Sequence, residues 1–367
     1  MKEIYRIITL YDQLKASATP AALAVVVNVN QSSYRRIGAR LLVAADGRYV
    51  GGISGGCLEG DALRRAKTAI SANRPAVHVY DTLDGEDAVI GIGLGCEGRI
   101  DVLFIPLDYA DEHNEVETLR GLTETRVPVL LVRRLDDGGD GRWDTRLYQK
   151  DQLNFLSNLT GRAPVEFTEL SRQILRDGRS RATTIRGERG HPYSVLFEVL
   201  HPQIHLVLTG VNYDIPPTLT AARHLGWRTT VIGPQRKFSR EITRLADRML
   251  DYADAHLAVP DTATAVVLMS HDFDWDRRMV EHFLPLQPAY FGMLGPRKRA
   301  VKMDALLREH GDLRLLEYPN LYSPVGLDVG AETPEEIAAS LTTEIIAVFR
   351  GRNGGMLRER IGSIHVR

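Results

Sequence analysis

Cysteine is scarce in this sequence: 2 in 367 residues cannot make a disulfide framework, and neither Cys57 nor Cys96 sits in a zinc-type pair. That usage suits a reducing compartment, and a cytoplasmic protein is the expectation. Long apolar runs are also missing. The start, Met1-Lys2-Glu3-Ile4-Tyr5-Arg6, lacks the hydrophobic core of a signal peptide, and no stretch has the length that crosses a bilayer. Neither sign of charge is in excess, with 46 Lys and Arg against 47 Asp and Glu, so the composition predicts no nucleic-acid surface and no membrane surface. HExxH, a Walker loop and an EF-hand loop are all absent, which removes several of the commoner motif-bearing enzyme classes.

What the sequence does have is glycine in clusters. The stretch Gly51-Gly52-Ile53-Ser54-Gly55-Gly56-Cys57-Leu58-Glu59-Gly60-Asp61 crowds glycines around one cysteine just before a helical pattern, in which Leu58, Ala62, Ala66, Ala69 and Ile70 recur on one face. It reads as a strand-to-helix turn. Glycine there permits positive φ and close approach of a ligand, and the N–H groups of Ser54, Gly55 and Gly56 at a helix start would cradle an anion. Cys57 at that positive end would have a lowered pKa, as a nucleophile or a soft metal ligand. The plain alternative is a tight turn followed by a small buried cysteine.

Two further segments converge on this reading. Gln31-Ser32-Ser33-Tyr34-Arg35-Arg36-Ile37-Gly38-Ala39 carries adjacent arginines, Arg35 and Arg36, suited to bidentate recognition of phosphate or carboxylate, or else forms a solvated basic turn. Gly91-Ile92-Gly93-Leu94-Gly95-Cys96-Glu97-Gly98 repeats the pattern of a glycine-flanked cysteine followed by glutamate, as Cys57 is by Glu59. The two loops are expected to meet at one pocket.

The length exceeds what one core usually fills, so two domains are expected. In the first, a helix over 4–14 precedes strands over 22–29, 40–45, 48–53, 77–80 and 99–107, with Asp46-Gly47 as the turn of a tight hairpin. The pattern weakens over 135–190, a charged, glycine- and arginine-rich excursion read as a lid. From 204 onward strands and helices alternate: strands over 204–209, 228–232, 265–270 and 290–294, helices over 217–225, 239–249, 275–284 and 297–309. That alternation predicts a doubly wound, mainly parallel sheet. Thr333-Pro334-Glu335-Glu336 is a capping box before the last helix.

Such a sheet invites dinucleotide binding, but the turn after its first strand, Gly210-Val211-Asn212-Tyr213-Asp214-Ile215, keeps only the first glycine of G-x-G-x-x-G. Gly233 stands where an acidic residue would hold a ribose. These departures argue against NAD(P). Two other strand ends bear chemistry. Ser270-His271-Asp272 offers His271 as an acid or base, or merely caps a helix; Gly295-Pro296-Arg297 offers Arg297 to a phosphate, or merely starts one.

At these residues the sequence resembles the XdhC/CoxI family, the accessory proteins of xanthine dehydrogenase and related molybdenum hydroxylases. The likeness rests on Ser33-Tyr34-Arg35-Arg36, Gly38-Ala39-Arg40, Gly52-Ile53-Ser54-Gly55-Gly56-Cys57-Leu58-Glu59, Gly91-Ile92-Gly93-Leu94-Gly95-Cys96, Ser270-His271-Asp272, Tyr290-Phe291-Gly292-Met293-Leu294-Gly295, and Pro324-Val325-Gly326-Leu327-Asp328-Val329-Gly330-Ala331-Glu332-Thr333-Pro334-Glu335-Glu336-Ile337-Ala338. It implies an α/β fold: an XdhC/CoxI-type domain over 1–200 and a Rossmann-like domain over 201–367. It further implies a homodimer that binds molybdenum cofactor (molybdopterin), protects it while a cysteine desulfurase supplies its sulfido ligand, and delivers it to a molybdenum hydroxylase apoenzyme. On that reading the protein is a maturation chaperone rather than a turnover enzyme. Cys57 would be the molybdenum ligand or sulfur relay, with Ser54, Gly55, Gly56, Glu59, Arg35, Arg36 and Cys96 around the cofactor, and Gly210, Gly295, Arg297 and His271 as secondary candidates. An NAD(P)-dependent oxidoreductase and an inert dimeric scaffold between desulfurase and apoenzyme are the rivals. The turn at 210–215 and Gly233 depart from the family's usual Gly-Ala-Gly-His type turn and aspartate.

Overall fold

In the computed structural model the described residues are 1–31, 36–56, 58–81, 98–135, 145–149, 165–186 and 192–361. They form two compact units, Met1–Pro202 and Gln203–Arg367.

The first unit opens with α1 (Lys2–Ala16), whose Ile4, Ile7, Ile8, Tyr11 and Leu14 form a buried stripe at helical spacing. It covers one face of a five-stranded antiparallel sheet, in the order β3-β2-β1-β5-β4, made of β1 (Ala21–Gln31), β2 (Arg40–Ala44), β3 (Tyr49–Gly51), β4 (Ala76–Asp81) and β5 (Gly98–Pro106). The apolar run of β1 is continuous because both its faces are covered. Ala21, Leu23, Val25 and Val27 join the α1 side, while Ala22, Ala24 and Val26 face α2 (Glu59–Ala72). Asp46 and Gly47 turn the β2–β3 hairpin as the dipeptide predicts, with Gly47 at φ +95°.

A second antiparallel sheet, β7-β6-β9-β8, follows: β6 (Val129–Arg134), β7 (Thr145–Tyr148), β8 (Arg181–Arg186) and β9 (Pro192–Leu200), with α3 (Glu115–Arg120) before it and α4 (Val165–Asp177) within it. Here the structure departs from the reading of 135–190 as an excursion. Tyr148, Phe167 and Ile174 from that segment are buried against Leu130, Val132 and Phe197, so its described parts are layers of a core, with Arg172, Arg176, Arg179 and Arg181 exposed.

The second unit is a six-stranded parallel sheet of β10 (His205–Thr209), β11 (Arg228–Ile232), β12 (Arg248–Leu250), β13 (Thr264–Leu268), β14 (Tyr290–Met293) and β15 (Leu321–Tyr322). Its order, β12-β11-β10-β13-β14-β15, is the doubly wound Rossmann arrangement. Helices α5 (Ile215–Leu225) and α9 (Pro334–Phe349) pack on one face, α7 (Phe273–Phe283) and α8 (Arg297–His310) on the other. The helix predicted over 239–249 is shorter. The structure has α6 (Arg240–Leu245), then an extended Ala246, and Met249 lies in β12. Asp247 makes the break, because its carboxylate accepts from the N–H and hydroxyl of Thr229 at 2.8 and 2.9 Å. The capping box at α9 is complete: Thr333 accepts from the Glu336 N–H and Glu336 from the Thr333 N–H.

Candidate functional site

Strand β3 ends at Gly51 and α2 begins at Glu59, and the turn between them is closed by its own oxygens. Gly51 has φ +95°, and a Cβ there would lie 2.2 Å from the Arg40 carbonyl oxygen, which also accepts from the Gly52 N–H at 2.7 Å. Only glycine fits that approach. The Ser54 hydroxyl accepts from the N–H groups of Gly56 and Leu58 at 3.2 and 3.0 Å and donates to Glu59 in a short bond. The other Glu59 oxygen accepts from the N–H groups of Ile53 and Ser54 at 3.1 and 2.8 Å. Burial opposes the charge on Glu59, but the Ser54 hydroxyl and the surrounding amides outweigh it and hold the carboxyl below its ordinary range.

Much of the expected cradle is therefore occupied. The amides of Ser54 and Gly56 already serve acceptors inside the turn, and Glu59 is the brace of the loop. What faces outward is the bare backbone of Gly55 and Gly56, both exposed. Gly56 has φ +115°, and nothing lies within 4 Å of where its Cβ would stand. A ligand can approach that backbone closely. Cys57, Cys96 and Arg35 lie outside the described residues, while Arg36 is exposed and its carbonyl accepts from Ala39.

Arg40, the last residue of the Gly38-Ala39-Arg40 motif, anchors the loop from below. Its guanidinium is buried and grips Glu198 of β9 in a fork, at 2.8 and 2.6 Å, while also donating to the Gly38 carbonyl at 2.6 Å. Burial disfavours its charge, yet Glu198 reverses the balance and raises its pKa. Gly38, at φ +86°, is glycine because a Cβ would meet a Glu198 oxygen at 2.4 Å. Sequence reasoning missed Glu198. The available signal was a lone acid in the apolar strand Ser194-Val195-Leu196-Phe197-Glu198-Val199-Leu200, where an acid is buried only when paired.

In the second unit the ligand-binding place of a Rossmann sheet is the crevice between β10 and β13, where strand order reverses. Gly210, at φ +120°, survives because a Cβ would lie 2.6 Å from the Met269 carbonyl oxygen. Several donors of a pyrophosphate cradle are lost. Pro216 and Pro217 in the first turn of α5 carry no N–H, the Asp214 N–H donates to the Asn212 side chain at 3.0 Å, and the Ile215 N–H donates to the Asn212 carbonyl at 3.2 Å. The Asn212 amide donates across the crevice floor to the Met269 carbonyl. At Gly233 the space for a side chain is filled by Val211, whose Cγ1 lies 2.6 Å from the Cβ position.

His271 stands over this crevice and was expected as an acid or base. Its Nε2 lies 2.7 Å from a carboxylate oxygen of Asp214, which is buried; sequence reasoning treated Asp214 only as a charge hostile to phosphate. No sequence pattern pairs the ends of two strands. Gly295, at φ +112°, and the exposed Arg297 lie at the carboxyl end of β14, on the same sheet edge. Nearby, Asp276 is buried between the Ser270 hydroxyl at 2.5 Å and Arg299 at 2.7 Å, which makes Ser270 a structural residue.

A model of the XdhC and CoxI family matches residues 14–81, and a model of the XdhC Rossmann domain matches residues 206–345. The chain is 26% identical over 358 residues to a protein of Bacillus subtilis (strain 168) named as a probable xanthine dehydrogenase subunit, covering 92% of this chain and 96% of that protein. It is 24% identical over 333 residues to the "Molybdenum cofactor insertion chaperone PaoD" of Escherichia coli (strain K12), covering 90% of this chain and 84% of that one. A crystal structure named as a xanthine dehydrogenase from Bacillus halodurans superimposes with a TM-score of 0.70 at 25% identity, over 95% of this chain and 96% of the other.

Proposed function

Because the chain belongs to the XdhC/CoxI family, we propose that it is an accessory protein that carries molybdenum cofactor as cargo to a xanthine dehydrogenase-type apoenzyme and shields it during sulfuration. The single observation that carries this reading is the turn at 52–59. Its own oxygens fix it in shape, yet the Gly55–Gly56 backbone stays exposed with open space before Gly56, as a phosphate-bearing pterin needs of a surface it must grip and release. The near end-to-end likeness to a protein named as a molybdenum cofactor insertion chaperone supports the same task.

Within this proposal Gly55 and Gly56 meet the cargo, Ser54 and Glu59 hold the turn, and Arg40 with Glu198 holds the turn's base. Cys57 is assigned from sequence as the soft ligand or sulfur relay, beside Cys96, Arg35 and Arg36. A homodimer, a cysteine desulfurase and the apoenzyme are the proposed partners. The cargo reading is preferred to NAD(P) chemistry because the prolines and Asn212 take away several of the donors a dinucleotide uses.

Co-expression in a host that makes molybdenum cofactor, followed by assay of bound pterin fluorescence and molybdenum, tests the proposal. The expected result is co-purification of both, falling in Cys57→Ala while the fold persists. Protein free of pterin and metal in both forms overturns the cargo reading.

A further inference from the structure

Among the described residues, four that are not glycine have positive φ: Ala18, Asn73, Gln287 and His271. The first three end helical segments, where a left-handed residue is the usual stop. His271, at φ +60°, lies between strand β13 and helix α7 instead, in a conformation that side chains other than glycine rarely adopt. A second preference is set aside beside it. Asp214 occupies the N-cap position of α5, where an aspartate side chain ordinarily accepts from the first backbone N–H groups, but its side chain caps nothing and is turned to His271 Nε2. A third is Tyr213, 71% exposed, with its ring 6.2 Å from the imidazole and tilted by 44°. All three meet at the switch point of the sheet, the place where open α/β sheets bind ligands.

The chemistry left there is specific. Asp214 engages Nε2, which fixes the ring and leaves Nδ1 of His271 without a partner among the described residues. Tyr213 has no hydrogen bond among them either and offers a free aromatic face. In the same turn the Asp214 and Ile215 N–H groups are engaged and Pro216 and Pro217 have none. We infer that this crevice binds a planar nitrogen heterocycle of the purine or pterin class, stacked on Tyr213 with its hydrogen-bonding edge at His271 Nδ1. Asp214 is the positioning residue. The ring comes either from a free purine or from the pterin end of a larger ligand, and the residues named here all belong to the second unit.

Calorimetric titration of the full-length protein with xanthine, guanosine, pterin and NADH tests this. The expected result is binding of a ring compound that weakens about tenfold or more in Tyr213→Ala, as loss of a stacking platform does, and comparably in His271→Ala. Tyr213 is exposed and its variant leaves the fold intact, while far-UV circular dichroism checks His271→Ala, which leaves the buried Asp214 carboxylate without its partner. Preference for xanthine or guanosine identifies a free purine as the source, and preference for pterin the other. In Asp214→Asn the ring-nitrogen NMR shifts of His271 are expected to move while far-UV circular dichroism stays unchanged; unmoved shifts overturn the positioning role. The inference fails if no ring binds, if both exposed variants bind as the parent does, or if NADH binds as tightly as the rings.

Discussion

Both units contain a glycine turn between a strand and a helix, and they finish it in opposite ways. In the first, Ser54 and Glu59 satisfy the inner amides and leave bare glycine backbone on the outside. In the second, Asn212 satisfies the amides, two prolines remove others, and side chains, Tyr213 and His271, form the outer surface. The same starting geometry therefore yields a backbone surface in one unit and a side-chain surface in the other. The cores differ in the same sense. The first unit buries two forked arginine–carboxylate pairs, Arg40–Glu198 and Arg133–Glu115. In the second the buried carboxylates Asp276 and Asp304 reach arginines that keep contact with water, Arg299 and Arg308. Charge enclosed on both sides makes the first unit the one with more to lose from a single substitution.

The largest effect is expected from Glu198→Ala, which strands the Arg40 guanidinium in the core and should destabilise the first unit by about 3–5 kcal/mol. Arg40→Met combined with Glu198→Leu removes both charges and should recover most of that loss. Equilibrium denaturation of the three proteins checks it, and a double variant as unstable as Glu198→Ala would show that the pair specifies the fold beyond its own balance. Next come Gly51→Ala and Gly210→Ala, one per unit. In each a Cβ would strike a carbonyl oxygen, at 2.2 and 2.6 Å, on a backbone of positive φ, and each should cost about 2–3 kcal/mol. Gly56→Ala meets nothing within 4 Å and should cost only the backbone strain, about 1 kcal/mol. It should nonetheless reduce carried cofactor, since the methyl would stand on the exposed face.

The fold of the second unit was legible because each β–α pair keeps its own period: the apolar strands at 205–209, 228–232 and 264–268 and the capped helix from Thr333 need no distant partner to be read. Antiparallel packing in the first unit was legible where local chemistry announces it, as at Asp46 and Gly47. The second sheet was not, because β8 and α4 place arginines outward and their apolar faces become visible only against Phe197 and Leu130. At the candidate sites the glycines were legible as turns, but the use of their amides was not. That use depends on Glu59 reaching back over Ile53 and on Asn212 reaching across to Met269, contacts with no repeating spacing. Strand β12 was hidden for a similar reason, since Asp247 breaks the helical pattern only by bonding to Thr229.

The smallest effect concerns the brace itself and separates the two turns by pH. The carboxyl of Glu59 is held below its ordinary range in the folded protein, so its contribution is complete above the unfolded value of about 4.3 and is lost as pH falls through the lower folded value. Because the group is only partly buried, the contribution is about 1 kcal/mol or less and acts locally. Amide exchange at Ile53 and Ser54, corrected for intrinsic rates, should therefore accelerate on acidification below about pH 4.5. In Glu59→Gln it should be faster at neutral pH and flat through that window. The turn of the second unit, closed by the uncharged side chain of Asn212, should show no such acceleration at the Asp214 N–H. Equal acid slopes at Ser54 in the parent and in Glu59→Gln would mean that Ser54 alone holds the glycine turn, and the two units would then differ only in what they expose.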